Sequence, residues 1–174
     1  MIAYLNHILA IRVASLSYEL ATFLNLPDEE KNSIYKSALF LDLGKNKIDL
    51  AILNKPSKLT KKEFDLLKEH TNYGYDLALK LGLNRKEGLY ILCHHENYDG
   101  TGYPIGLSGK VIPLGARIIK ICDVFDALTS DREYRKRLDI SEAINVMNYM
   151  VNEFDPYIYK KFKCLLDLEN NLIS

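Results

Sequence analysis

At 174 residues, with 48% hydrophobic and 26% charged side chains, the chain has the size and balance of a single globular domain with a sizeable core. Equal numbers of basic and acidic residues, 23 of each, give a formal net charge of zero, which argues against broad electrostatic binding to DNA or other nucleic acid. Three scattered cysteines (Cys93, Cys122, Cys164) exclude a disulfide framework and suit a reducing, cytoplasmic setting, and no apolar run approaches the ~20 residues of a membrane span.

Residues 3–25 carry Leu5, Leu9, Val13, Leu16, Leu20, Phe23 and Leu24 at helical spacing. The pattern opens at the start of the chain, which leaves room for an upstream piece. Asn25-Leu26-Pro27-Asp28 is a break, and Pro27 or Asp28 starts a second helix that runs through Ile34, Ala38, Leu39 and Leu41 and stops near Gly44. Residues 45–59 read as irregular loop around Lys55-Pro56. Thr60-Lys61-Lys62-Glu63 has the capping-box pattern, so a helix begins at about Lys61 and reaches Leu81, interrupted near Gly74. Asn84 caps a helix through Leu89, Ile91, Leu92 and His95. Residues 97–112 form a glycine-rich loop. Pro113 suits the first turn of a helix to about Leu128, Ser141 caps another to about Val151, and Asp155-Pro156 begins a last one through Leu166. No alternating strand pattern appears. The expected fold is all-α: one helical bundle over residues 1–174.

Histidine is scarce, with four in the chain, and three of them (His70, His94, His95) fall near carboxylates. Side chains of adjacent residues differ by about 100° around a helix. The pair His94-His95 can therefore serve one ion where the helix ends. Asp42 precedes Leu43-Gly44-Lys45 at another helix end. Asp123 lies inside an apolar run (Ile118, Ile119, Ile121, Cys122, Val124, Phe125), where a carboxylate is costly unless paired or ligating. Imidazole with carboxylate suits iron, manganese, nickel or zinc. The alternative is that His94 bonds a carbonyl and His95 faces solvent, with no metal bound.

Several segments together resemble one family. They are Ala38-Leu39-Phe40-Leu41-Asp42-Leu43-Gly44-Lys45, Lys55-Pro56-Ser57-Lys58-Leu59-Thr60, Lys68-Glu69-His70, His94-His95-Glu96 through Gly102-Tyr103-Pro104, and Asp123-Val124-Phe125-Asp126-Ala127-Leu128-Thr129-Ser130-Asp131-Arg132. In order and spacing they are similar to the HD-GYP domain, an all-helical variant of the HD phosphohydrolase superfamily. The resemblance spans almost the whole chain. Active members hydrolyse cyclic di-GMP to linear pGpG or GMP at a centre of two or three metals. The resemblance implies Asp42, His70, His94, His95 and Asp123 as metal ligands. It implies that Lys45 contacts a scissile phosphate and that Arg132 and Arg135 contact phosphate and base. For Tyr103 it leaves base stacking, a turn that packs the loop, or contact with a GGDEF-domain cyclase through Gly102-Tyr103-Pro104.

The departures from the pattern bear on activity. The family's His-Asp pair is here Leu41-Asp42, Leu9 stands three residues before Arg12-Val13 where the family has histidine, and Leu5 stands where some members carry a metal-binding glutamate. His7 is out of register with these. The losses lie on one side of the family's metal cluster, while the neighbouring ligands persist. The expectation is a half-degraded centre that holds one divalent ion or none. Such a domain binds cyclic di-GMP, its products or a protein partner with little or no hydrolysis. An active phosphodiesterase with a reduced centre is the alternative, and a structural, homodimerising output module is a third.

Overall fold

The computed structural model describes residues 2–131 and 136–173, with side chains from 10 to 131 and from 136 to 168. Among these residues there is no strand, in agreement with the helical periodicity of the sequence. The helices are α1 (Ile2–Phe23), α2 (Asp28–Leu39), α3 (Leu50–Leu53), α4 (Lys61–Lys68), α5 (His70–Lys80), α6 (Arg85–Leu92), α7 (Leu114–Thr129), α8 (Ile140–Tyr149) and α9 (Pro156–Ile173). Short 3-10 turns occupy Leu43–Lys47, Gly109–Val111 and Val151–Glu153.

The main core lies where α1, α2, α7, α8 and α9 meet, around Leu20, Ile34, Ile118, Ile121, Met147 and Phe162. These positions follow the three- and four-residue spacing of a buried helix face. Arg12 of α1 reaches the buried carboxylate of Asp126 on α7 at 2.8 Å, so the two helices are joined by charge as well as by packing. A second layer, formed by α5, α6 and the 3-10 turn Leu43–Lys47, packs against this core through α2 and α7 and carries the histidines.

The boundaries differ from the sequence reading in several places: α2 ends at Leu39, not near Gly44, and α6 at Leu92, before His95. The helix expected from Lys61 to Leu81 breaks at Glu69, not near Gly74, and gives α4 and α5. Residues 45–59 include most of a 3-10 turn and the short α3 in addition to loop. The cap of α8 is Asp139 in place of Ser141, because Asp139 finds Glu142 at the third helical position and completes a reciprocal capping box with it. The last helix continues past Leu166 to Ile173. No helix among the described residues is long and apolar enough to cross a membrane.

Candidate metal centre

Close backbone approach builds this site. Gly44, inside the turn Leu43–Lys47, lies so near α5 that a Cβ there would stand 1.8 Å from the carbonyl oxygen of His70 and 2.5 Å from the backbone nitrogen of Gly74. Glycine is therefore required at 44, and its contact places Asp42, just before the turn, beside His70, the first residue of α5. Gly74 stays inside α5, where a Cβ would meet Ile91 Cγ2 at 3.0 Å. From the other side α6 ends at Leu92 with Cys93 as its cap, so His94 and His95 occupy the turn beyond the helix.

The three imidazoles converge. Among the described residues, His70, His94 and His95 each offer a ligand atom within 4.8 Å of the others'. Ring centroids are 5.6 Å apart for His70 and His94, 5.1 Å for His70 and His95, and 4.0 Å for His94 and His95. His70 Nδ1 lies 2.7 Å from the Leu67 carbonyl, and His94 Nδ1 lies 2.6 Å from the Ile91 carbonyl. A carbonyl only accepts, so each Nδ1 carries the proton and donates it. Each Nε2 then keeps its lone pair, which is how metal-ligating histidines are usually oriented. Both Nε2 atoms are buried with no hydrogen-bond partner, and so is Asp42 Oδ1, 3.9 Å from His70 Nε2. Buried polar atoms are ordinarily satisfied. Three orphaned atoms in one place fit a divalent cation, and the N and O donor set suits a transition ion.

The electrostatics agree with neutral imidazoles. Burial, reinforced by the His70 ring, pushes His94 down to about 3. His70 and His95 are also lowered, in each case chiefly by burial. Burial would raise the Asp42 carboxyl, but the Lys45 ammonium, by charge and by hydrogen bond, opposes it, and the group is held below its ordinary value. Lys45 Nζ sits 2.8 Å from Asp42 Oδ2.

The glycine-rich loop folds over this centre around Glu96. The buried Glu96 carboxylate accepts hydrogen bonds from the backbone N–H groups of Ile105, Gly106 and Leu107, at 2.7 to 3.1 Å. Gly102 is pressed against Glu96, where a Cβ would lie 2.5 Å from Glu96 Cα. The loop is thereby turned so that Tyr103 stacks on His95, with centroids 4.8 Å apart and planes at 29°. Burial, together with the charges of Asp42 and Asp123, raises the Tyr103 hydroxyl, so it stays protonated.

The residues singled out in the sequence thus have four different fates. His70, His94 and His95 come together, with Asp42 and Lys45 at their edge. Asp123, half-buried on α7, does not join the close set, although its charge is felt at Tyr103. Arg132 and Arg135 lie outside the described residues, as do the side chains of Leu5, His7 and Leu9. Leu41, adjacent to Asp42, is buried in the main apolar core. Glu96 as the hub of the loop was not assigned in the sequence, nor were Phe64 and Lys68, which flank Tyr103. A glutamate followed by a glycine-rich stretch was the available signal for the first. The other two carried none.

The sequence pattern of the HD domain family matches residues 5–158. The chain belongs to the HD domain family, in its HD-GYP branch. This HD-GYP domain is 40% identical over 156 residues to a cyclic di-GMP phosphodiesterase of Pseudomonas aeruginosa, in a match covering 88% of the chain and 37% of that relative. It is 42% identical over 136 residues to a cyclic di-GMP phosphodiesterase response regulator of Xanthomonas campestris pv. campestris, covering 76% of the chain and 36% of that relative. The chain therefore spans little more than a third of the length of these curated relatives. Among solved structures, an HDG"Y"P protein of Bdellovibrio bacteriovorus superposes with a TM-score of 0.74 over 93% of the chain and 52% of its own, at 21% identity, and so shares the fold.

Proposed function

We infer that this HD-GYP domain binds a cyclic dinucleotide, cyclic di-GMP foremost, at a reduced metal centre and hydrolyses it weakly or not at all. One juxtaposition carries the reading: the buried, unpartnered His70 Nε2 and His94 Nε2 belong to the converging imidazoles, with Asp42 Oδ1 3.9 Å from His70 Nε2, while Leu41, where the family has its histidine, is committed to the apolar core. The family's active centre needs ligands on both sides. Leucine has no lone pair to offer, and Leu5 and Leu9 stand at two further ligand positions.

The roles of the remaining groups follow from their chemistry. His70, His94 and His95, with Asp42, would hold one iron, manganese, nickel or zinc ion, which when bound supplies positive charge against a phosphate. His70 and His94 are kept in the right tautomer by the Leu67 and Ile91 carbonyls. Lys45, beside Asp42, contributes an ammonium for a phosphate oxygen. Asp123 would complete the centre from α7. Arg132 and Arg135 are assigned to phosphate and base, because guanidinium binds phosphate in a bidentate manner. Tyr103 closes the site over His95.

A second reading, that the domain is an active phosphodiesterase, is favoured by the activity named for relatives about 40% identical. Contact with a GGDEF-domain protein would use the same loop, where Ile105 beside Pro104 is 58% exposed. Binding and product formation measured on the same metal-loaded sample separate these. Cyclic di-GMP bound and recovered intact supports the reduced centre. Conversion to pGpG or GMP supports the enzyme. Absence of any nucleotide binding supports the protein-interaction module.

A further inference from the structure

The helix α4 buries none of its residues, yet its first turn is secured twice over. Thr60 and Glu63 close a reciprocal capping box at its start, and Lys55 adds an ion pair to Glu63 at 2.7 Å. A helix that contributes nothing to the core but is pinned at its first turn holds its outward groups in fixed positions. Two of those groups, Phe64 and Lys68, are four residues apart and so share one face. That face looks onto the site. Phe64 meets Tyr103 edge to face, with centroids 6.2 Å apart, and Tyr103 in turn stacks on His95. Lys68 Nζ lies 4.9 Å from the Phe64 centroid and 5.7 Å from that of Tyr103. Its carboxylate partner, Asp65, is on the same helix at 2.9 Å and more than half exposed.

We propose that Phe64 and Lys68 form an outer subsite for the nucleotide, with Phe64 as a stacking surface for a base and Lys68 as the contact for its phosphate. This rests on the cyclic dinucleotide reading above and extends it to residues of α4. Phe64 is 43% exposed, so the residue is accessible from solvent. Stacking on an aromatic face tolerates any base, so the subsite adds affinity without selecting sequence. The Lys68 ammonium is held between the two rings at cation–π distance. An arriving phosphate competes only with the exposed Asp65 for it, and an exposed ion pair is weak. His95, Tyr103, Phe64 and Lys68 thus form a chain of direct contacts that leads outward from the imidazoles to α4.

The test is the affinity of the Mn2+-loaded full chain for cyclic di-GMP at low and high salt, with Mn2+ stoichiometry measured on every sample. Phe64→Leu is expected to weaken binding about ten-fold at both salt concentrations, as loss of one base stack does. Phe64→Tyr is expected to retain wild-type affinity. Lys68→Met is expected to weaken binding about ten-fold at low salt, and less at high salt where screening has already removed part of the contact. Mn2+ binding should be unchanged throughout. Wild-type affinity in both Phe64→Leu and Lys68→Met would overturn the subsite and leave the cyclic dinucleotide reading standing. Equal weakening in Phe64→Leu and Phe64→Tyr, or loss of Mn2+ from the variants, would also overturn it, since the side chains would then be serving the fold. If the wild-type protein binds Mn2+ but no cyclic di-GMP, both readings fall together.

Discussion

Removing His94 tests whether the converging imidazoles hold an ion. Its ring is fully buried, Nδ1 is committed to the Ile91 carbonyl, and Nε2 has no partner. An ion that binds the native state and not the unfolded chain stabilises by RT ln(1 + [L]/Kd), about 2.7 kcal/mol at a hundred-fold excess over Kd. At about 2–4 °C per kcal/mol for a domain of this size, Tm rises by about 5–10 °C. His94→Ala deletes one of three imidazole ligands. If Kd rises about a hundred-fold, the same ion concentration yields only about 0.4 kcal/mol, near 1 °C. The variant also loses stability without metal, by about 1–3 kcal/mol, because the Ile91 carbonyl is left without a donor. The assay is thermal unfolding of chelator-treated protein with and without manganese, iron, nickel or zinc. Its readout is the metal-dependent increment, which the lower baseline does not disturb. An equal increment in wild type and His94→Ala would refute the assignment of the ion to these histidines.

Three further outcomes follow from the same geometry. Leu9→His with Leu41→His should add a second equivalent of bound metal by elemental analysis, and without metal should cost at least the roughly 1.5–3 kcal/mol of the lost Leu41 burial; one equivalent in the double variant would contradict the half-lost centre. Gly44→Ala should destabilise by about 3 kcal/mol, the upper end for overpacking, and should weaken metal binding, because its Cβ collides with backbone of α5 that cannot swing aside; wild-type stability in denaturant titration would contradict this. The Glu63 carboxyl, held down to about 2 from 4.5 by its bonds to Lys55 and to Thr60, has a depressed folded-state pKa. Its contribution to α4 is therefore present above the ordinary carboxylate range and lost as pH falls toward about 2. A carboxyl titration by NMR with a midpoint near 4.5 would contradict it.

Much of the site was legible because its chemistry is written in residue types. Adjacent histidines at a helix end and an aspartate before a Gly-Lys turn are few enough in this chain to stand out. The capping box at Thr60–Glu63 and the cap at Asn84 were legible for a similar reason, since both are local patterns. What depended on contacts between distant segments was not legible. Gly74 looked like a helix interruption, yet it is helical and lies where Ile91 and Gly44 approach α5 from other segments. The break fell at Glu69, so that His70 opens a new helix toward the site. The cap of α8 is a local miss, since Asp139 and Glu142 are also three residues apart and form the same box. The pairing of Phe64 and Lys68 was not legible, because what joins them to the site is Tyr103, which arrives from a loop that Glu96 folds back over the histidines.

The central claim is a nucleotide site that has kept one side of its metal centre and lost turnover with the other. The most direct measurement is incubation of the manganese- or iron-loaded protein with cyclic di-GMP at saturating concentration, following bound ligand by calorimetry and products by chromatography. Saturable binding is predicted, with cyclic di-GMP recovered intact. Formation of pGpG or GMP at about 1 per second or faster, an ordinary enzymatic rate, would contradict it.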